Sequence, residues 1–138
     1  MRILGIDFGD ARIGVAVSDE MGWTAQGLTT IRRTNKQQDF EALGELIKQY
    51  KPEQIIIGLP RNTNGSIGPQ ARKVMDFAEK LSTRFNIPVI KWDERFSTLG
   101  AEKYLQEAGL TPRARKKVID KVAAAFILQG YLDSKSSP

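Results

Sequence analysis

The chain has 138 residues, 41% hydrophobic and 27% charged, with a net charge of +5, no cysteine and no histidine. That length and balance fit one soluble globular domain with a single core, and no apolar run approaches the roughly 20 residues of a membrane span. Without Cys or His there is no thiolate metal site, thiol nucleophile or imidazole base, so catalysis would fall to carboxylates, hydroxyls, lysines or a metal held by oxygen. Oxygen ligands select magnesium or manganese over zinc. The positive charge favours an anionic partner, nucleic acid first. With no basic leader and no membrane span to read, the expected location is the cytoplasm, and the lack of cysteine agrees.

The first sixteen positions of interest, Ile3 to Ser18, read as two apolar strands joined by a tight turn at Gly9-Asp10. Asp7 ends the first strand, beside residues that belong in a core. A carboxylate there is costly to bury unless it caps the turn or binds a cation. Arg12 stands just across the turn, placed either to orient a phosphate or to pair with a carboxylate.

Trp23 to Thr30 is expected as a third strand, completing an antiparallel meander, and Trp23 reads as a core residue. Phe40, Leu43, Leu46, Ile47 and Tyr50 recur with helical spacing, which predicts a helix over 36–51 closed by Pro52. The run Ile55-Ile56-Ile57 predicts a strand buried on both faces. Residues 59–68 form a Pro-, Asn- and Gly-rich loop with an Asn64-Gly65 turn. Arg61 lies in this loop, which leads into a helix N-terminus suited to a phosphate. That second helix is expected from Pro69 to Phe85, with Val74, Phe77, Ala78 and Leu81 as its apolar stripe.

Pro88 to Trp92 predicts another short buried strand, with Trp92 in the core. It is followed at once by Asp93-Glu94-Arg95-Phe96. Ser97 or Thr98 caps a third helix running to Ala108, with Gly109 as its left-handed stop. Leu110 to Arg115 reads as a mobile basic connection. A last helix over 116–132 is expected to bury Val118, Val122 and Phe126, with Ala123, Ile127 and Tyr131, and to carry Asp120 in its opening turns. Residues 1–133 then form one domain and 134–138 a flexible tail. Three strands followed by helix-linked strands imply a mixed five-stranded sheet: an antiparallel meander plus two parallel strands, flanked by helices.

Sites in such sheets form at the carboxyl ends of parallel strands. Asp7 and Asp93-Glu94 fall at two such ends, and Asp120 shares a helical face with the small side chains Ala123 and Ala124. Read singly, Glu94 and Asp120 fit solvated charges equally well. They gain meaning only if they converge with Asp7.

Four motifs stand in order: Gly5-Ile6-Asp7-Phe8-Gly9 with Ile13-Gly14-Val15-Ala16; Ile57-Gly58-Leu59-Pro60 with Asn64-Gly65; Trp92-Asp93-Glu94-Arg95-Phe96-Ser97-Thr98; and Lys117 through Ala124. Together they resemble the YqgF family, also described as Holliday-junction-resolvase-like proteins or pre-16S rRNA nucleases, over essentially the whole chain. The resemblance implies an α/β, RNase H-like fold and a nuclease dependent on Mg²⁺ or Mn²⁺. Asp7, Glu94 and Asp120 would be its catalytic and metal-holding acids, and Asp93 the neighbour able to replace Glu94. Arg12, Arg61, Arg95, Arg113, Arg115, Lys116 and Lys117 would be phosphate contacts. The implied partner is nucleic acid, a structured RNA such as the 5′ region of pre-16S rRNA, or a branched DNA junction. No membrane is implied, and the sequence leaves the oligomeric state open between monomer and homodimer. A non-catalytic nucleic-acid-binding factor in transcription or rRNA maturation is the alternative on the same fold.

Overall fold

The computed structural model describes residues 1–138 apart from 63, 94–96 and 137–138, and side chains apart also from 97, 98 and 136. The elements in order are β1 (Ile3–Phe8), β2 (Arg12–Ser18), β3 (Ala25–Arg32), α1 (Lys36–Tyr50), β4 (Gln54–Leu59), α2 (Pro69–Phe85), β5 (Val89–Asp93), α3 (Ser97–Glu107) and α4 (Pro112–Ser136). They build the expected mixed sheet, in the order β3-β2-β1-β4-β5. β1, β2 and β3 pair antiparallel, while β4 runs parallel to both β1 and β5.

Strand alternation divides the core. Leu4, Ile6 and Phe8 of β1, Ile13, Val15 and Val17 of β2, and Ile55, Ile57 and Leu59 of β4 face α1 and α2, meeting Phe40, Leu43, Val74, Phe77 and Leu81. The other face presents Ile3, Ala16 and Ile56 to α4, which covers them with Ala124, Ile127, Leu128, Tyr131 and Leu132. Ile55, Ile56 and Ile57 are fully buried, each contributing about 1.5–3 kcal/mol. α1 starts where the Asn35 side chain accepts the Gln38 N–H at 2.9 Å and stops at left-handed Lys51, just before Pro52.

Several expectations need correction. β3 begins two residues late, because the Asp19 carboxylate takes the N–H groups of Trp23 (2.7 Å) and Thr24 (3.0 Å) and holds them in the turn. Trp23 is consequently 70% exposed rather than in the core. β5 is an edge strand and only half-buried. Trp92 does pack inward, edge-on to Tyr131 at 5.5 Å.

The expected basic connection is instead the first turn of α4. The Thr111 hydroxyl accepts the Ala114 N–H at 3.2 Å and Pro112 opens the helix, a start signal that adds a turn before position 116. The buried stripe of α4 is Ala123, Ala124, Ile127, Leu128, Tyr131 and Leu132, while Phe126 is 38% exposed and turns toward Tyr104 of α3. The helix also continues through Ser136, into the segment expected as a tail. Among the described residues no helix is long and apolar enough to cross a membrane.

Candidate active site

Asp7 lies near the end of β1, on the face that carries α4. Its register partner is Gly14 of β2. A Cβ built on Gly14 would come within 2.0 Å of the Asp120 carbonyl oxygen and 2.4 Å of its carbonyl carbon. The α4 backbone therefore rests directly on β2 at this point. A second close approach follows along β1, where a Cβ on Gly5 would lie 2.7 Å from Leu128 Cβ and 3.1 Å from the Ala124 carbonyl oxygen. Glycines under the helix, and alanines on its lower face, remove the side chains that normally keep a helix and a sheet apart. Asp120 is brought down beside Asp7 in this way. It stands in the third turn of α4, so the helix N-terminus gives it none of the stabilisation expected from a first-turn position.

The electrostatics follow from that contact. Burial, reinforced by the negative charge of Asp120, raises the Asp7 carboxyl to about 6. Asp120 is 20% exposed and accepts a 2.6 Å hydrogen bond from Arg12 Nε. Asp7 and Asp120 form a pocket of negative charge with one arginine at its mouth. A sunken carboxylate beside a second one, with oxygen as the donor, suits a hard divalent cation. Among the described residues no group of three acids assembles a complete ligand set; Glu94 and Arg95 lie outside the described residues.

Asp93 can be placed. It pairs in register with Leu59, whose side chain belongs to the α1–α2 core, so Asp93 sits on the sheet face opposite Asp7. Trp92 pairs with Gly58 on the α4 face. Alternation thus argues against Asp93 as the replacement for Glu94.

The basic residues separate into groups. Arg113, Lys116 and Lys117 are exposed on α4 and stand seven, four and three residues before Asp120, which is one helical stripe leading to it. The helix runs antiparallel to β1, so this stripe overhangs the sheet end where Asp7 lies. Arg115 is half-buried, and its Nη1 donates to the Leu110 carbonyl at 3.1 Å. Arg61 is exposed in the loop before α2. That loop is braced by Asn62 Nδ2 donating to Ser66 Oγ (2.9 Å) and Ser66 Oγ to Asn64 Oδ1 (2.7 Å).

One support escaped sequence reading. Arg33 Nη1 donates to the Gly9 carbonyl at 2.9 Å, while its Nε pairs with Asp39 at 3.2 Å and its guanidinium lies 4.4 Å from the Phe8 ring centre. Asp39 is 3% exposed and also accepts the Thr34 N–H at 3.1 Å. This clamp fixes the turn that follows Asp7. Its only sequence trace was an acid in the first turn of α1.

The chain is similar to known proteins over nearly its whole length. The model of the family RuvX, described as Holliday junction resolvase, matches residues 1–134. A protein of Moorella thermoacetica named "Putative pre-16S rRNA nuclease" is 56% identical over 133 residues, covering 96% of this chain and 95% of its own. A protein of the same name from Desulforamulus reducens is 53% identical over 134 residues, covering 97% and 98%. The fowlpox virus resolvase, solved with Holliday junction DNA, superposes with a TM-score of 0.61 over 99% of this chain and all of its own at 16% identity, a likeness of fold.

Proposed function

The chain belongs to the RuvX family, the family its motifs resemble under the name YqgF, and on that footing we propose that it is a divalent-metal-dependent nuclease, cytoplasmic, that hydrolyses phosphodiester bonds in maturing the 5′ end of pre-16S rRNA. The observation that carries this reading is the meeting of Asp7 and Asp120 over Gly14. Two carboxylates forced together resist ionising together, and a bound cation would offset that cost. Asp7 and Asp120 would hold Mg²⁺ or Mn²⁺, with Glu94 as the third acid.

When bound, the ion supplies positive charge against the phosphate oxygens on which negative charge develops during cleavage. The chain's own residues do the rest. Asp7 must lose its proton to bind, so proton and cation compete for it and cation affinity rises with pH through about 6. Arg113, Lys116 and Lys117 hold the backbone of the substrate along the overhanging stripe, with Arg61 and Arg95 as further phosphate contacts; these position the strand and read no sequence. Arg115 supports the α3–α4 corner through the Leu110 carbonyl and contributes less to binding.

A second reading, cleavage of branched DNA, is favoured by the family's description as Holliday junction resolvase. The deciding experiment incubates the purified protein with an rRNA precursor and with a four-way junction, each with and without Mn²⁺, and maps the cut ends. Mn²⁺-dependent cuts on the 5′ side of the precursor, lost in Asp7→Asn, are expected. Cuts confined to the junction transfer the assignment to the second reading. Binding without cleavage of either leaves a non-catalytic factor.

A further inference from the structure

Arg12 is the first residue of β2 and lies on the α4 face, two positions from Gly14. Its Nε donates to Asp120 Oδ2 at 2.6 Å. The contact uses the inner nitrogen. The two terminal nitrogens have no partner among the described residues, and the side chain is 45% exposed. Across the ladder Arg12 is paired in register with Arg32 of β3, also exposed. Side chains directly opposite on antiparallel strands stand about 4.5–5.5 Å apart at Cβ, where like charges repel. The register sets the two arginines opposite each other beside the acid pair, and guanidinium groups brought together there can share an anion. Arg32 has no acid of its own among the described residues, and Arg12 takes one from the candidate metal site.

We propose that Arg12 is a tethered counter-ion: in the metal-free protein it occupies Asp120, it competes with a divalent ion for that carboxylate, and it moves to a nucleic-acid phosphate docked between itself and Arg32 when the ion binds. Arg12 and Arg32 thus form a phosphate subsite coupled to the acid pair. This rests on the reading of Asp7 and Asp120 as metal-holding acids. Metal and nucleic acid then strengthen each other's binding, because each removes the obstacle to the other, and the factor must be the same in both directions. An exposed ion pair is a weak competitor, so the coupling is modest.

The test counts free Mn²⁺ by its electron paramagnetic resonance signal, without reference to cleavage. In the absence of nucleic acid, Arg12→Gln is expected to bind Mn²⁺ about three- to tenfold more tightly than the wild type. A 2′-O-methyl RNA oligonucleotide, checked for integrity afterwards, should tighten Mn²⁺ binding to the wild type by a similar factor and to Arg12→Gln very little. Arg32→Gln should leave RNA-free Mn²⁺ affinity unchanged and reduce the RNA effect. Unchanged or weaker Mn²⁺ binding by Arg12→Gln overturns the proposal, as does a wild-type Mn²⁺ affinity indifferent to RNA. Asp7→Asn separates this failure from that of the parent reading. If Asp7→Asn loses Mn²⁺ while Arg12→Gln behaves as wild type, only the counter-ion role falls. If wild type and Asp7→Asn bind Mn²⁺ equally, or neither binds, both fall.

Discussion

The carbonyl oxygen of Asp120 occupies the space that any side chain at position 14 would need: an ideal Cβ on Gly14 lies 2.0 Å from it. The obstacle is helix backbone, which cannot rotate away as a side chain would. Gly14→Ala is therefore expected to lose about 3 kcal/mol or more of stability in denaturant titration and to weaken Mn²⁺ binding by lifting Asp120 from Asp7. Gly5→Ala, whose nearest obstacles are Leu128 Cβ at 2.7 Å and the Ala124 carbonyl oxygen at 3.1 Å, makes a milder overlap and should cost less. Equal losses at the two positions would contradict the backbone contact.

Asp7 gives a pH signature. Its carboxyl is raised from 3.8 to about 6 by burial and by Asp120, so between those values the folded state binds more protons than the unfolded one. Stability from this group is fully present below about pH 4 and is lost as pH rises through 6. In EDTA, Asp7→Asn should be more stable than wild type by up to roughly 2–3 kcal/mol at pH 7.5, with the gain vanishing near pH 4. Mn²⁺ should raise the melting temperature of the wild type and not of the variant. A variant no more stable than wild type at pH 7.5 would argue against a sunken, repelled carboxylate.

The Arg33–Asp39 pair supports the turn after Asp7 from the opposite face. Asp39→Ala leaves Arg33 Nε and the Thr34 N–H without their carboxylate acceptor, a loss of about 2–4 kcal/mol. Hydrogen exchange at Gly9, whose N–H bonds the Arg12 carbonyl at 2.9 Å, should accelerate more than exchange in β4. Asp39→Asn should recover part of both. Unchanged protection at Gly9 would detach the clamp from the site.

The basic stripe of α4 predicts a salt dependence. Lys116→Ala and Lys117→Ala should each weaken nucleic-acid binding uniformly across sequences and reduce the salt slope by about 0.7–0.9. Arg115→Ala should instead lower thermal stability with a smaller change in slope, because its guanidinium serves the Leu110 carbonyl. Equal slope changes from all three would place Arg115 on the binding track.

Most of the architecture was legible in the chain. α1 and α2 end within a residue of their expected limits because their apolar stripes, Pro69 and Pro52 leave few alternatives. The meander followed by helix-linked strands fixed the sheet type. Reading failed where a side chain satisfied backbone groups out of pattern. The Asp19 carboxylate delays β3 and leaves Trp23 in solvent, and Thr111 with Pro112 starts α4 early. The α4 face was misjudged at Phe126 because the run Val122 to Leu128 is apolar on every side of the helix, so neighbouring stripes look alike until the partner surface is known.

What the amino-acid sequence determined by itself was the order of elements and the kind of chemistry, since a chain without His or Cys offers a hard divalent metal its oxygen donors. Tertiary structure alone decided which acids meet and what guards them. Arg12 and Asp120 lie 108 positions apart, and nothing local relates them. Their contact follows from a glycine whose missing side chain matters only once a particular helix crosses it, and steric exclusion of that sort is a property of two backbones in space.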